Sequence, residues 1–196
     1  MEDDLGGNSL LDCIYLCREL EYKDVMGGLV DEWKKDTAYW SGSSRRMLID
    51  FNAFLGRDAE NEVLYQEQLT EVLAAPKDNV KDIISAYRDL IRYYLHIGDY
   101  GKALCFCKKV KENTDYGQIR TLRLFKDILE ACFEVVANVP ADGLWDWAKT
   151  ELQRVPRSSR YGNLYKKGIA AAEAMNDPYG EQLGKEYEDF LADFMR

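Results

Sequence analysis

Residues 86–111 read AYRDLIRYYLHIGDYGKALCFCKKVK. Apolar residues recur in this segment at intervals of one, three or four positions, which is typical of amphipathic helices. Gly98 interrupts the pattern and supplies a helix stop, so the segment predicts two helices joined by a short turn. Because so short a turn folds the second helix back on the first, the segment predicts an antiparallel helix pair.

The same segment can be aligned with the tetratricopeptide repeat pattern. The packing positions of the first helix are occupied by Tyr87, Leu90 and Tyr94. Ala103 stands where the second helix presses closely on the first, and a larger side chain there would hold the helices apart. Ile91 replaces the Gly of the pattern, and Cys107 replaces its Phe. A second good copy does not follow about 34 residues later, so the sequence predicts one clear repeat and less regular neighbours.

The rest of the chain shows the same helical periodicity, and no Val/Ile/Thr-rich alternating run with hairpin signals occurs in it. The predicted helices are Ser9 to Gly27–Gly28, Leu29–Trp40, Arg45–Leu55, Ala59–Leu73, Val80–Leu95, Tyr100–Val110, Tyr116–Asn138, Gly143–Val155, Arg160–Met175 and Pro178–Phe194. The predicted fold class is all-α, a right-handed solenoid of antiparallel, TPR-like helix pairs with about nine helices. We expect an acidic helical segment over residues 1–56 and a TPR-like domain over residues 57–196, packed continuously with it.

The repeat segment resembles the helical-repeat region of the PCI scaffold subunits, of the proteasome-lid and signalosome type. The matching residues are Tyr93, Tyr94, Gly98, Asp99, Ala103, Leu104, Cys107, Lys108 and Val110. The next helix pair of that family is similar to Ile119–Val136 and Leu144–Val155, so the resemblance covers about residues 65–175. The C-terminal winged helix of the family has no counterpart among the predicted elements. The resemblance implies a non-catalytic scaffold within a multi-subunit assembly.

Charge is distributed unevenly along the chain. The 26 Lys and Arg residues against 35 Asp and Glu give a net charge of −9, which argues against duplex DNA as a partner. Residues 99–172 nevertheless carry 13 basic and 9 acidic side chains, whereas residues 1–40 carry 4 and 10. This basic stretch predicts a surface for another protein subunit or an acidic peptide, although solvated helix faces would look the same. Single-stranded RNA is a further alternative, with Tyr116 and Tyr161 as the nearby stacking candidates.

The candidate partner-contact residues are cations of this basic stretch and two tryptophans. Trp145 and Trp147 lie two positions apart on a predicted helix, so they cannot both face the same core. One of them is therefore expected to contact a neighbouring repeat or a partner, unless the helix is buried on two sides. The full predicted set is Lys108, Lys109, Lys111, Arg120, Arg123, Trp145, Trp147, Arg154 and Arg157.

Catalytic signals are missing from the sequence. His96 is the single histidine, and it lies beside the Gly98 turn, where a structural role is expected. The spacings Cys13–Cys17 and Cys105–Cys107 are not those of structural zinc pairs, and the glycine-rich loops that bind nucleotides do not occur. We therefore expect no enzyme activity, no cofactor and no metal. Because no uncharged stretch exceeds eight residues and five cysteines occur without a glycosylation acceptor, we expect no membrane span and a cytoplasmic or nuclear location.

Overall fold

The computed structural model describes residues 6–35, 42–75, 80–113, 123–156, 160 and 162–194. These residues form ten helices, and no strand occurs among them, so the all-α prediction is confirmed while the predicted number of about nine helices is corrected to ten. The helices are α1 (Gly6–Glu19), α2 (Lys23–Trp33), α3 (Gly42–Leu55), α4 (Asp58–Ala74), α5 (Val80–His96), α6 (Tyr100–Asn113), α7 (Arg123–Asn138), α8 (Asp142–Arg154), α9 (Gly162–Ala174) and α10 (Tyr179–Phe194).

The chain divides into two compact units, Met1–Leu64 and Tyr65–Arg196, with the boundary inside α4. We call them unit 1 and unit 2. The sequence predicted a boundary between residues 56 and 57 and continuous packing of the two parts, and both stay predictions.

Unit 1 has its own apolar core, in which α1 packs against α2 and α2 packs against α3. Phe51 of α3 lies at its centre, with the rings of Tyr15 and Trp33 edge-on to it at centroid distances of 5.4 and 6.0 Å. The buried apolar residues of this core are Ile14, Cys17, Met26, Val30, Leu48 and Phe51.

The first two predicted helices, Ser9 to Gly27–Gly28 and Leu29–Trp40, are wrong in their boundaries. α1 ends at Glu19 because Glu21 adopts a left-handed conformation, with φ of 58°. The N–H of Tyr22 then donates to the carbonyl of Cys17 at 2.8 Å, and the N–H of Glu21 donates to Arg18 at 3.2 Å. These two bonds form a Schellman motif, which normally uses glycine and here uses glutamate. Trp40 lies outside the described residues.

Gly27 lies inside α2 rather than at a helix end. A Cβ atom at this position would stand 2.9 Å from Nη2 of Arg57. The Arg57 guanidinium pairs with Asp31, at 2.6 Å from Nη1 to Oδ1 and 3.2 Å from Nη2 to Oδ2. The missing side chain of Gly27 therefore gives the guanidinium room to cross the helix surface. At Gly28 a Cβ atom would meet no other atom within 4 Å, so this glycine serves no such purpose.

Unit 2 contains three consecutive helix pairs, α5–α6, α7–α8 and α9–α10. The connections within the pairs are only three or four residues long, and each pair packs together. Helix α7 also packs against α5 and α9, so the first helices of successive pairs are neighbours. Helix α7 is buried around most of its circumference, from Leu124 to Val136, as a central helix must be. This is sequential packing of helices, and the right-handed solenoid stays a prediction.

The α5–α6 pair has the packing that its sequence predicts. Tyr94 is buried and its ring stacks on that of Phe106, with centroids 5.5 Å apart. Gly98 has φ of 75°, and the next N–H, of Asp99, donates to the carbonyl of Tyr94 at 2.9 Å. Ala103 is completely buried. The burial of this small residue is consistent with close packing around it, and its place at the close approach of the two helices stays a prediction.

The remaining boundaries follow the prediction closely. Helices α3, α4, α8, α9 and α10 begin and end within three residues of their predicted positions. The predicted helix Tyr116–Asn138 is seen as α7 from Arg123 onward, and its part before residue 123 lies outside the described residues.

Candidate functional site

The three lysines predicted to contact a partner are exposed on α6. The ammonium of Lys111 donates to the carbonyl of Gly143 at 2.8 Å and so connects α6 to the start of α8. The ammonium of Lys109 lies 4.8 Å from the ring centroid of Phe106. Two of these cations are thus engaged within unit 2, while Lys108 is exposed and makes no such contact with another described residue.

The predicted arginines lie at helix ends. Arg123 is the exposed first residue of α7. Arg154 is exposed at the end of α8, where its Nη1 lies 2.5 Å from Oε1 of Glu151. Arg120 and Arg157 lie outside the described residues. The structure therefore does not bring Arg123 and Arg154 into one described cluster.

The two tryptophans have different environments. Trp145 is only 2% exposed and belongs to the core of unit 2, while its contact with a partner stays a prediction. Its indole N–H donates to Oδ2 of Asp177 at 2.7 Å. Trp147 is half-buried and packs against the same core. Both tryptophans therefore pack within unit 2.

The carboxylate of Asp177, in the turn between α9 and α10, accepts three hydrogen bonds. The Lys149 ammonium donates to Oδ2 at 2.7 Å, the N–H of Tyr179 donates to Oδ1 at 2.9 Å, and the Trp145 indole donates as described. The hydrogen bond from Lys149 is the largest of the effects that lower the pKa of Asp177 from 3.8 to about 2, followed by those from Tyr179 and Trp145. Because two of the donors come from α8, the carboxylate fastens α8 to the α9–α10 turn.

A second buried ion pair is also structural. Arg160 and Glu186 are both nearly inaccessible, with 2.5 Å between Nη1 and Oε2. Arg160 also donates to the carbonyls of Leu152, at 2.9 Å, and Val155, at 3.1 Å, near the end of α8. The carbonyl of Leu152 also accepts from the N–H of Val155 at 3.0 Å, and both carbonyls lie at the C-terminal end of α8, so the guanidinium caps α8 and joins it to α10.

A polar cleft crosses the first helices of the three pairs. Its volume is about 480 Å³, and its lining residues are Arg92 of α5, Arg123, Asp127 and Glu130 of α7, and Asn163 of α9. We call this the α5–α7–α9 cleft. Of these residues the sequence predicted only Arg123 as a contact residue. The others come together because α7 packs between α5 and α9.

Ion pairs fix the surroundings of the cleft. Arg88 of α5 lies 2.6 Å from Asp89 and 3.8 Å from Asp127 of α7. Lys167 of α9 lies 2.6 Å from Glu134 of α7. These contacts hold the three helices in register across the cleft, since each cation joins or approaches a carboxylate on α7.

Burial raises the pKa of Glu130, and the nearby carboxylates of Asp127 and Glu134 raise it further. The cations Lys167 and Arg92 act in the opposite direction. The cleft is therefore of mixed charge, with acidic groups along α7, rather than purely cationic as a simple basic groove would be.

The two arginines of the cleft are available to a ligand. Neither Arg92 nor Arg123 has a carboxylate within ion-pair distance in the part of the chain that the structure describes, and both are exposed. A guanidinium presents a planar set of donors that matches a carboxylate or phosphate. With Asp127 and Glu130 beside them, the cleft can bind a protein segment that carries an acidic group next to a basic or amide group.

Metal ligands and membrane-spanning helices are both missing from the described part of the chain. No group of three or more His, Cys, Asp or Glu side chains that could hold a metal ion occurs among its residues. Likewise, none of the helices that they form is both long enough and apolar enough to cross a membrane.

Comparison with known proteins gives no relative. No family model matches the chain, and no match occurs among curated proteins or among solved structures. The fold and its contacts define an all-helical protein whose helices pack mostly in sequential order.

Proposed function

We propose that the chain is a non-catalytic helical-repeat scaffold that mediates protein–protein interactions, as a PCI-type subunit of a multi-subunit complex similar to the proteasome lid or the signalosome. The observation that carries the proposal is the α5–α7–α9 cleft, formed where the first helices of three successive pairs lie side by side. In helical-repeat proteins such a shared surface is the usual binding surface. The resemblance of residues 86–111 supports the same class of function.

The chemistry of the cleft favours binding over catalysis. Its described lining residues are arginines, carboxylates and an asparagine, and none of these described residues is a serine, cysteine or histidine that could serve as nucleophile or base. His96 is exposed at the end of α5 and is not among the lining residues. In this proposal the cytoplasm or the nucleus is where the assembly forms.

A free-standing adaptor for an acidic peptide is the second candidate function. Arg92 and Arg123 favour it, because an acidic side chain of a bound peptide could pair with either guanidinium. Single-stranded RNA is less favoured, since Asp127 and Glu130 would repel its phosphates. Its stacking candidates, Tyr116 and Tyr161, lie outside the described residues.

Affinity capture from native lysate tests the proposal, with the wild-type chain and the double variant Arg92→Glu/Arg123→Glu as baits. The matched control is Arg46→Glu, which reverses an exposed arginine of α3 far in sequence from the cleft residues. We expect subunits of a proteasome-lid-like or signalosome-like complex in the wild-type and control samples, and a loss of about tenfold with the double variant.

Other results would separate the alternatives. Capture of unrelated proteins that share an acidic segment, lost with the double variant, would replace the scaffold with the adaptor. Equal capture by the wild type and the double variant would remove the α5–α7–α9 cleft as the binding surface. Recovery of RNA alone, released by salt, would contradict both protein-binding functions.

A further inference from the structure

The α1–α2 turn of unit 1 exposes an unusual number of large apolar side chains. Leu16 of α1 and Leu20, which directly follows the end of α1, are 54% and 50% exposed. Tyr22 in the turn and Val25 at the start of α2 are 58% and 57% exposed. We call these four residues the α1–α2 apolar surface. Single exposed apolar residues are ordinary, whereas a group of them marks an interaction surface.

Acidic residues flank the residues of this surface in the sequence. The exposed carboxylates of Asp12, Glu19, Glu21 and Asp24 lie among or beside its residues in α1, the turn and α2. None of the four has an ion-pair partner within the described ranges of the chain. The border of the surface therefore carries a negative charge that is not neutralised by the described residues.

The two cations of the same segment are engaged elsewhere. The guanidinium of Arg18 lies 5.8 Å from the ring centroid of Phe54, and the ammonium of Lys23 lies 5.0 Å from it. Cation–π contacts of this length hold both charges over the α3 residue. The positive charges of the segment are thus directed to Phe54 of α3.

Two residues of the turn are less stabilising than other residues would be at their positions. Glu21 occupies a left-handed position with φ of 58°, where glycine would be unstrained. Tyr22 stands at the N-cap of α2 without a side-chain cap bond, where Ser, Thr, Asp or Asn would stabilise the helix. Both residues belong to the exposed surface or its acidic border, which is consistent with a function that outweighs local stability.

We propose that the α1–α2 apolar surface binds a basic amphipathic helix of a partner protein. Apolar side chains at helical spacing would pack on Leu16, Leu20, Tyr22 and Val25, and flanking lysines or arginines would pair with the acidic border. A second copy of this chain fits less well, because it would place the same acidic border against itself. An anionic membrane would be repelled by that border. The proposal does not depend on the α5–α7–α9 cleft and so adds a second binding surface.

A synthetic peptide of leucine and lysine provides the probe. It is about 15 residues long, has leucine at helical spacing on one face, and carries fluorescein for an anisotropy titration of the full chain. The peptide control has the same composition in an order that is not amphipathic. We expect saturable binding of the amphipathic peptide, at least about tenfold tighter than the control and weakened by salt.

Variants locate the bound peptide. Leu16→Glu/Leu20→Glu should weaken binding about tenfold or more, and the double variant Val63→Glu/Leu73→Glu of α4 is a matched control because its residues are equally exposed. Glu19→Lys/Asp24→Lys should also weaken binding of the peptide. The affinity of this variant should fall less than that of the wild type when salt is added. Arg92→Glu/Arg123→Glu should leave it unchanged, which separates this proposal from the proposed function.

The chain contains its own reporters of occupancy. Cys13, one helical turn before Leu16, and Cys105 of α6 are both exposed free thiols. Saturating peptide should slow the reaction of Cys13 with N-ethylmaleimide several-fold and leave that of Cys105 unchanged, as measured by mass spectrometry of the tryptic peptides.

Several results would overturn the proposal. Equal affinity for the two peptides, or unchanged affinity of Leu16→Glu/Leu20→Glu, would show that no specific apolar contact is made. Sedimentation could instead show that the chain dimerises, or the chain could bind phosphatidylserine vesicles. If Leu16→Glu/Leu20→Glu abolished that dimer or that vesicle binding, the surface would have a different occupant from the one proposed.

Discussion

Asp177→Asn removes the negative charge that holds α8 to the α9–α10 turn. The pKa of Asp177 falls from 3.8 to about 2 in the folded chain, a difference that corresponds to at most about 2.5 kcal/mol of stability at neutral pH. Since the Lys149 ammonium is partly solvated, we expect the variant to lose about 1–2 kcal/mol. Asparagine keeps one acceptor oxygen, so the fold should survive.

The pH dependence of this loss distinguishes an electrostatic role from a packing role. A depressed carboxyl pKa contributes stability that is complete above the unfolded value, near pH 4, and is lost as the pH falls through about 2. The stability difference between wild type and Asp177→Asn should therefore narrow between about pH 5 and pH 2.

Urea unfolding followed by circular dichroism at several pH values measures this difference, with the transitions of the two units fitted separately. Asp146→Asn, a change at an exposed carboxylate of α8, is the matched control and should be neutral. A loss below about 0.3 kcal/mol at neutral pH, or a loss that stays constant on acidification, would refute the reasoning.

Four substitutions test the backbone and the packing of the fold, each measured by urea unfolding. Ala103→Leu should cost about 1–3 kcal/mol, because this residue of α6 is completely buried, and an unchanged midpoint would contradict close packing around it. Glu21→Gly should stabilise unit 1 by about 1 kcal/mol by relieving the left-handed glutamate, and a loss of stability would show that its side chain contributes more than the strain costs. Gly28→Ala should stabilise α2 by about 0.5–1 kcal/mol. Gly27→Ala should gain little or nothing, because its Cβ displaces Arg57; equal gains at both glycines would disprove that contact.

The helices of unit 2 could be predicted from the sequence because their signals are local. The stripe from Val80 to Leu95 and the stop at Gly98 are contained within α5 and its turn, and the structure reproduces both. The α1–α2 turn could not be predicted in the same way. Its left-handed residue is Glu21, which gives no glycine signal, and the glycines at 27 and 28 suggested a helix end that is not there.

The site depends on contacts between distant residues. The cleft residues Arg92, Asp127 and Asn163 come from three helices, so only the packing of α7 between α5 and α9 brings them together. The sequence shows that these residues occupy polar positions on their helices. It does not show which faces of the helices meet. The hydrogen bond from Trp145 to Asp177 could not be predicted for the same reason, because the two residues lie 32 positions apart.

The size of the assembly formed by the tagged chain in native cell extract tests the scaffold function most directly. Sucrose-gradient sedimentation measures it, with and without ribonuclease and with the variant Arg92→Glu/Arg123→Glu in parallel. The scaffold account predicts sedimentation far above the 22.6 kDa of the chain itself, resistance to ribonuclease, and release of the double variant from the assembly. Sedimentation as an isolated 22.6 kDa chain, or release by ribonuclease, would contradict it.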